Sequence, residues 1–399
     1  MYPSLCLKPG HTASVGARHP WIFSGALERL PDDLPHGALV HVLDPDGRVV
    51  ATGTFSRKSM IAVRMFAFEE VTIDSDWLQR KIQQADDRRR LLGLGPGTQT
   101  TGYRVVYGES DDLPGLVVDR YGDVLVIQIS TAGMELLRDQ IIECLRSLFQ
   151  PSGIYERSDH PARHDEGLKP ESGLRFGTVD SHVQFAESGR KCIADVLTGQ
   201  KTGFYLDQRD LRRQVLKLAR GRKTLDLFSY SGAAGIAALL GDASGVHFVD
   251  SSEPALQLCA EQARLNEIDP ARISHDCADA FQWLGNHSTP EYALVLLDPP
   301  ALIKSRRHIA EGRKAYHFLN RAVLRLIVDG GILATSSCSA YFPEEDLTVT
   351  LRRAAEQVNV DLYVLGMVRQ SPDHPIALNF PESAYLKSVI CQIRRKSSS

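Results

Sequence analysis

The sequence predicts an α/β protein: a doubly wound, mostly parallel sheet in its C-terminal half, preceded by a small β-barrel and a small α+β segment. Three observations carry this. From Lys223 onward, short apolar strands alternate with helical runs, a pattern that calls for parallel pairing through crossovers. Successive strands there end on or near Asp226, Asp250, Asp279, Asp298 and Cys338. Residues 1–72 instead alternate β-rich runs with Gly, Pro and Asp turns, the spacing of a small barrel. A chain of 399 residues is too long for one core. Three domains are expected, over 1–72, 73–189 and 190–399.

Apolar residues make up 43% and charged residues 24%, the balance of an ordinary soluble protein. The net charge of −3 excludes a bulk positive field, so any RNA contact must come from local patches. Seven cysteines, at 6, 144, 192, 259, 277, 338 and 391, are scattered with no C-x-x-C pair. Neither a zinc site nor a disulfide framework is expected, and no other metal. No signal-like segment follows the N-terminal Met-Tyr-Pro, and no apolar run reaches membrane-spanning length. A cytoplasmic, reduced protein is the expectation.

In chain order, strands are expected at 38–43, 49–55 and 61–66, with Asp44-Pro45-Asp46-Gly47 as a hairpin turn. A helix follows from about Ser75 to Leu92. Arg88, Arg89 and Arg90 near its end suit the negative pole of the helix dipole, as a solvated cap. Three strands lie within 103–130, an amphipathic helix spans 134–149, and a strand follows at 153–157. Residues 159–173 are polar and read as an exposed loop, and strands at 174–179 and 182–187 close the segment. After 190, helices are expected at 211–219, 233–240, 253–266 and 310–328, the third with Pro254 early, where a missing N–H costs little.

The stretch Lys223–Ser252 organises the rest. Thr224-Leu225-Asp226-Leu227-Phe228 is a strand, Ser229-Tyr230-Ser231-Gly232 a small-residue turn, and a helix and second strand lead to Asp250. This is a βαβ half whose turn lets the backbone approach a ligand, with an acid about 20 residues on suited to a ribose diol. The pattern alone fits a nucleotide site or a plain structural turn. Ligands on such sheets bind at the carboxyl ends of strands, where four acids and a cysteine here converge. Cys338, among small serines just after a strand, reads as a nucleophile or as a small buried hydrophobe.

The Asp226-x-Phe228-x-x-x-Gly232 form resembles the first motif of class I S-adenosylmethionine (SAM) methyltransferases, a Rossmann-like fold. Residues 15–25, VGARHPWIFSG, resemble the start of a PUA domain, an RNA-binding barrel, in the version fused to ribosomal RNA methyltransferases. The order GQKTGFYLDQR, DLFSYSG, VDSS, DAF, DPP, SSCS resembles the RlmI-like 23S ribosomal RNA cytosine-5 methyltransferases over the whole chain.

The resemblance implies SAM as cofactor. Asp250 with Ser251 would hold the ribose, Asp279 with Ala280 the adenine, and Asp226, Phe228, Ser229, Tyr230, Ser231 and Gly232 the methionine end. Lys201, Thr202, Phe204, Asp207 and Arg209 would line the cofactor and target side of the cleft. Cys338 would add to cytosine C6, with Asp298 hydrogen-bonding the ring. Arg18, His19, Arg57 and Lys58 become candidates for RNA contact. The implied partner is 23S ribosomal RNA or a large-subunit assembly intermediate, with no membrane and with a homodimer left open. Asp298-Pro299-Pro300 also occurs in N-methyltransferases, where an aromatic follows; here Ala301 does. Many RNA cytosine-5 methyltransferases carry a second cysteine where this chain has Pro300. The alternatives are a guanine N-methyltransferase acting on ribosomal RNA and a catalytically silent RNA-binding or assembly factor.

Overall fold

The computed structural model describes residues 2–396. The chain forms two compact units, one of Met1–Leu206 with Pro372–Ser383, the other of Asp207–Ser371 with Ala384–Ser399.

In the first unit, Ser4–Cys6, Trp21–Phe23, Leu39–Leu43, Val49–Phe55 and Ile61–Ala67 form one five-stranded sheet. Its expected hairpin turn is built by Asp44, whose carboxylate accepts from the Asp46 and Arg48 N–H groups at 3.0 and 2.9 Å. A second five-stranded sheet spans Gly102 to Gly177, and the helices Ser75–Leu91 and Arg138–Phe149 bury Trp77, Leu78, Ile82, Ile141 and Leu145 with it.

Three expectations for this unit need correcting. The helix expected over 134–149 is two, Ala132–Leu136 and Arg138–Phe149. Gly133 of the first lies so close to Thr54 that a Cβ there would meet its Oγ1 at 2.3 Å. The loop 159–173 is not wholly exposed. Arg163 is buried, donating to the Ile129 carbonyl and Glu135 at 2.7 and 2.9 Å, and buried Glu166 pairs with Arg64 at 2.7 Å. Charged composition suggested solvent, but the two buried charges, Arg163 and Glu166, have fixed partners. Finally, the solvated arginine cap holds for Arg88 and Arg90, whereas Arg89 is 1% exposed and salt-bridged to Asp111. Arg190–Asp195, at the expected start of the third segment, pairs back antiparallel on His182–Glu187.

The second unit carries a seven-stranded sheet. Counted within it, the elements are α1 (Arg209–Leu218), β1 (Lys223–Leu227), α2 (Ala233–Leu240), β2 (Gly245–Asp250) and α3 (Glu253–Leu265). Then come β3 (Ile273–Cys277), α4 (Ala280–Asn286), β4 (Tyr292–Leu297), α5 (Ile309–Leu326), β5 (Ile327–Ser337), α6 (Glu344–Gln357), β6 (Val360–Arg369) and β7 (Lys387–Arg395). The strand order is β3-β2-β1-β4-β5-β7-β6, with only β7 running against the others.

Alternation along the strands fills both faces. Val295 and Leu297 of β4 face the core under α5 and α6, while Leu294 and Leu296 face the one under α1, α2 and α3. Strand order reverses between β1 and β4, so their carboxyl ends open the crevice where open α/β sheets bind ligands.

Candidate active site

The loop after β1 is the most constrained backbone of the second unit. Phe228, Tyr230 and Gly232 all have positive φ, at 58°, 48° and 73°. Two aromatic residues in the left-handed region are genuine outliers, held only because their surroundings over-determine them. The holding is visible. Ser229 N–H donates to the Val249 carbonyl at 3.2 Å, and Gly232 N–H to the Ser229 carbonyl at 2.8 Å. Tyr230 N–H donates to the Asp250 carboxylate at 2.8 Å, and Gln262 donates to the Ser231 carbonyl. Gly232 has no alternative here: a Cβ would meet the Cys259 sulfur at 2.3 Å.

Asp226 is buried beneath this loop, its Oδ2 accepting from Gly235 N–H at 2.8 Å at the start of α2. Burial pushes its carboxyl up to about 7; the Gly235 N–H opposes the rise, and the carboxylates of Asp298 and Asp250 add to it. Asp250 ends β2 and accepts from both Tyr230 and Ser252 N–H, tying the loop to the head of α3. Asp279 is exposed and caps α4 through Gln282 N–H at 3.0 Å, with Ala280 buried behind it.

On the other side of the reversal, Asp298 follows β4. Gln208 at the foot of α1 donates to its Oδ2 at 2.7 Å. Neighbouring Asp207 is buried, accepts from the Tyr385 hydroxyl and takes Ser371 N–H on its carbonyl. Arg209, the first residue of α1, is also buried.

Cys338 is the residue just past β5, half-buried, between two buried serines. Ser337 donates to the Tyr316 hydroxyl at 2.8 Å, and that hydroxyl is 2.9 Å from Ser339 Oγ. Ser339 Oγ also accepts from Ile303 N–H at 3.2 Å, and Tyr316 is stacked on Phe342. From β7, the Lys387 ammonium donates to the Ser339 carbonyl at 2.6 Å and the Tyr385 carbonyl at 3.0 Å. The cysteine is thus on a turn whose two flanking residues are fixed from three elements.

Residues 5–68 match the PUA-like domain family, and residues 157–377 match the S-adenosylmethionine-dependent methyltransferase family. Ribosomal RNA large subunit methyltransferase I of Yersinia pseudotuberculosis is 35% identical over 393 residues, covering 98% of this chain and 99% of its own. The protein of the same name from Yersinia pestis matches equally, at 35% over 393 residues. This chain belongs to the ribosomal RNA large subunit methyltransferase I family. It is a SAM-dependent methyltransferase with a Rossmann-like domain and an N-terminal PUA-like domain. A candidate SAM-dependent methyltransferase of Streptococcus mutans shares the fold over 98% of this chain and 100% of its own, at a TM-score of 0.82 and 21% identity. Another solved structure, SMU.776, a candidate methyltransferase in complex with SAH, reaches 0.84 at 20% identity over the same shares.

The residues present fit SAM. The hydroxyl of buried Ser229 and the amide oxygen of buried Gln208 have no hydrogen-bond partner among the described residues; Ser229 lies in the loop after β1, and Gln208 donates to Asp298 after β4. No group of His, Cys, Asp or Glu that could hold a metal occurs among the described residues, and no described helix is long and apolar enough to cross a membrane.

Asp226, the loop 228–232, Asp250, Ser251, Asp279, Ala280, Asp298 and Cys338 all lie at the carboxyl edge of one sheet, with Asp207 and Arg209 at the foot of α1. Lys201, Thr202 and Phe204 belong to the first unit. There Thr202 donates to Asp119 at 2.6 Å and meets the Tyr121 hydroxyl at 2.8 Å, buried Phe204 packs edge-on to Phe185, and the Lys201 ammonium lies 4.2 Å from the Tyr205 ring centroid. Of the RNA candidates, Arg18, Arg57 and Lys58 are exposed. His19 lies 3.3 Å from Glu382 and edge-on to Phe380, and Arg57 donates to the carbonyls of Pro31, Asp32 and Leu34.

Gln208, Tyr316 and Lys387 are the site residues that the sequence reading did not single out. Gln208 lies inside the quoted GQKTGFYLDQR motif, so its signal was present. Lys387 had one too, a lysine opening the otherwise apolar run Ser388-Val389-Ile390-Cys391. Tyr316 had none, being one aromatic among many on an amphipathic helix.

Proposed function

We propose that this chain methylates C5 of a cytosine in large-subunit (23S) ribosomal RNA, by way of a Cys338 adduct at C6. The observation that carries this reading is the fixed, half-buried Cys338 turn at the carboxyl end of β5, next in the sheet to the strand that ends at Asp298. A silent RNA-binding protein has no need of such a cysteine. An N-methyltransferase has no need of it either, and the aromatic expected after Asp298-Pro299-Pro300 in that class is replaced by Ala301. The relatives' names and the PUA-like domain support the RNA half of the proposal.

C5 of cytosine is a poor nucleophile. The Cys338 thiolate forms a bond to C6, and the C5–C6 π pair moves onto C5, giving an enamine-like ring. Asp298, its carboxyl turned by Gln208, hydrogen-bonds the ring and favours that attack. Bound SAM supplies an electrophilic methyl group for the activated carbon. Loss of the C5 proton to a base restores the double bond and returns the sulfur to Cys338 as thiolate.

On the cofactor side, Asp250 takes the ribose hydroxyls, Asp279 with Ala280 the adenine amine, and Asp226 with the 228–232 loop the methionine end. Asp250→Ala is expected to weaken SAM binding by about 1.5–3 kcal/mol, one or two hydrogen bonds to a charged group. Titration calorimetry measures it, and unchanged affinity would place the ribose elsewhere. Arg18, Arg57 and Lys58 are the exposed candidates for RNA contact on the PUA-like domain.

The decisive experiment is mass spectrometry of ribosomal RNA nucleosides from a strain lacking this gene and from its parent. Loss of one 5-methylcytosine is expected. A missing methylguanine at constant 5-methylcytosine would move the chemistry from Cys338 to Asp298. No change in any ribosomal nucleoside would remove the proposal.

A further inference from the structure

One buried cation of the site has no part in the scheme above. Lys387 is the first residue of β7, and its backbone lies opposite Ser337, the last residue of β5. Its side chain crosses to the far side of the cysteine, where the ammonium donates to the Ser339 carbonyl at 2.6 Å and to that of Tyr385 at 3.0 Å. The lysine therefore grips the Cys338 turn at both ends, by strand pairing before it and by a charge-assisted hydrogen bond after it. At 8% exposure this is an unusual place for a lysine. A strand anchor made only of hydrogen bonds would not require a full positive charge there.

We propose that Lys387 is a positioning residue for Cys338, holding the turn and keeping the sulfur in its thiolate form as an ammonium–thiolate pair. This rests on reading Cys338 as the nucleophile. The ammonium has three donors, and two carbonyls engage two of them, which leaves one N–H for the sulfur of the residue next to Ser339. The thiol proton leaves to solvent before RNA arrives, and no other bond changes. A cation beside a thiol lowers its pKa and raises the thiolate fraction near neutral pH.

The charged groups around the pair favour the same state. Burial pushes the Lys387 ammonium down to about 8, even though the negative charges of Cys338 and of Glu344, at the head of α6, oppose that fall. Arg369 on β6 lies opposite Lys387 and reaches Glu344 at 3.3 Å, so part of that carboxylate is already engaged. Tyr316 from α5 also faces the cysteine, and burial, the largest influence, pushes its hydroxyl up, so it stays neutral. Lys387 is thus a cation whose charge the sulfur can use, and the sulfur, together with Glu344, favours the charged form of a buried lysine.

The test needs no RNA. The full-length protein is alkylated with iodoacetamide from pH 5 to 10, and modification is followed on the tryptic peptide that contains Cys338 by mass spectrometry. The expected midpoint in the wild type lies below the ordinary thiol value of about 8.5. Lys387→Met is expected to raise it by about a unit or more, making alkylation near pH 7 about tenfold slower, while Lys387→Arg keeps it low. SAM binding by calorimetry checks that each variant is folded. Equal midpoints in wild type and folded Lys387→Met would reduce Lys387 to a strand anchor. Should Lys387→Met not fold, the wild-type profile still decides, because a midpoint at or above 8.5 overturns the pairing. The parent reading fails separately, through turnover by Cys338→Ala, which the alkylation profile does not report.

Discussion

Cys338→Ala is expected to bind SAM as the wild type does and to lose methylation by on the order of 10⁴-fold or more, the scale of removing a covalent nucleophile. The two halves of this prediction have separate structural grounds. The cofactor loop is held by β2 and α3, through Val249, Asp250 and Gln262, whereas the Cys338 turn is held through Tyr316, Ile303 and Lys387. The cysteine lies at the end of β5, and removing its sulfur leaves the Ser337–Tyr316–Ser339 network intact. Calorimetry with SAM and a methyl-transfer assay on ribosomal RNA measure the two quantities on one preparation. An RNA carrying 5-fluorocytidine at the target adds a direct probe. Fluorine on C5 cannot leave as a proton does, so the wild type should accumulate a denaturation-stable protein–RNA adduct and the variant none. An active Cys338→Ala enzyme would remove the covalent route outright.

Legibility followed sequence distance. The parallel sheet was readable because each strand and the acid that ends it lie in one short segment: Asp226, Asp250, Asp279 and Asp298 needed only local pattern to be placed at one edge. The helix Ala233–Leu240 and the hairpin turn at Asp44 were readable for the same reason, as local chemistry fixes both. What brings Lys387 to Cys338 is the pairing of β7 with β5 across about fifty residues, and no local signal announces an antiparallel insertion. Gln208 meets Asp298 from ninety residues away. Arg89 failed differently. Its helix-end position predicted a solvated charge, and the buried carboxylate that reverses this lies in another segment, at Asp111. Buried charges are the residues for which composition misleads most, since their environment is supplied wholly by tertiary partners.

Arg89→Met is expected to be the most destabilising single change in the first unit, by about 3–5 kcal/mol, the range for leaving a buried charge without its partner. All five guanidinium N–H donors are engaged. Nε donates to the Arg104 carbonyl at 2.9 Å, Nη1 to Ala85 and Asp111 at 3.2 and 2.7 Å, and Nη2 to Asp111 and the Asp373 carbonyl at 2.8 and 2.7 Å. Methionine fills most of the volume and satisfies none of these acceptors, while Asp111, itself 0% exposed, keeps the Tyr107 N–H and a longer contact to Arg88. The Asp373 carbonyl belongs to Pro372–Ser383, the late segment that folds with this unit, so its attachment should loosen as well. Urea unfolding measures the stability loss, and limited proteolysis should find new cleavage within 372–383. The double variant Arg89→Met with Asp111→Leu removes both buried charges, and it should recover part of the loss. Additive losses in the double variant would mean that the carbonyl contacts, rather than the ion pair, hold this segment in place.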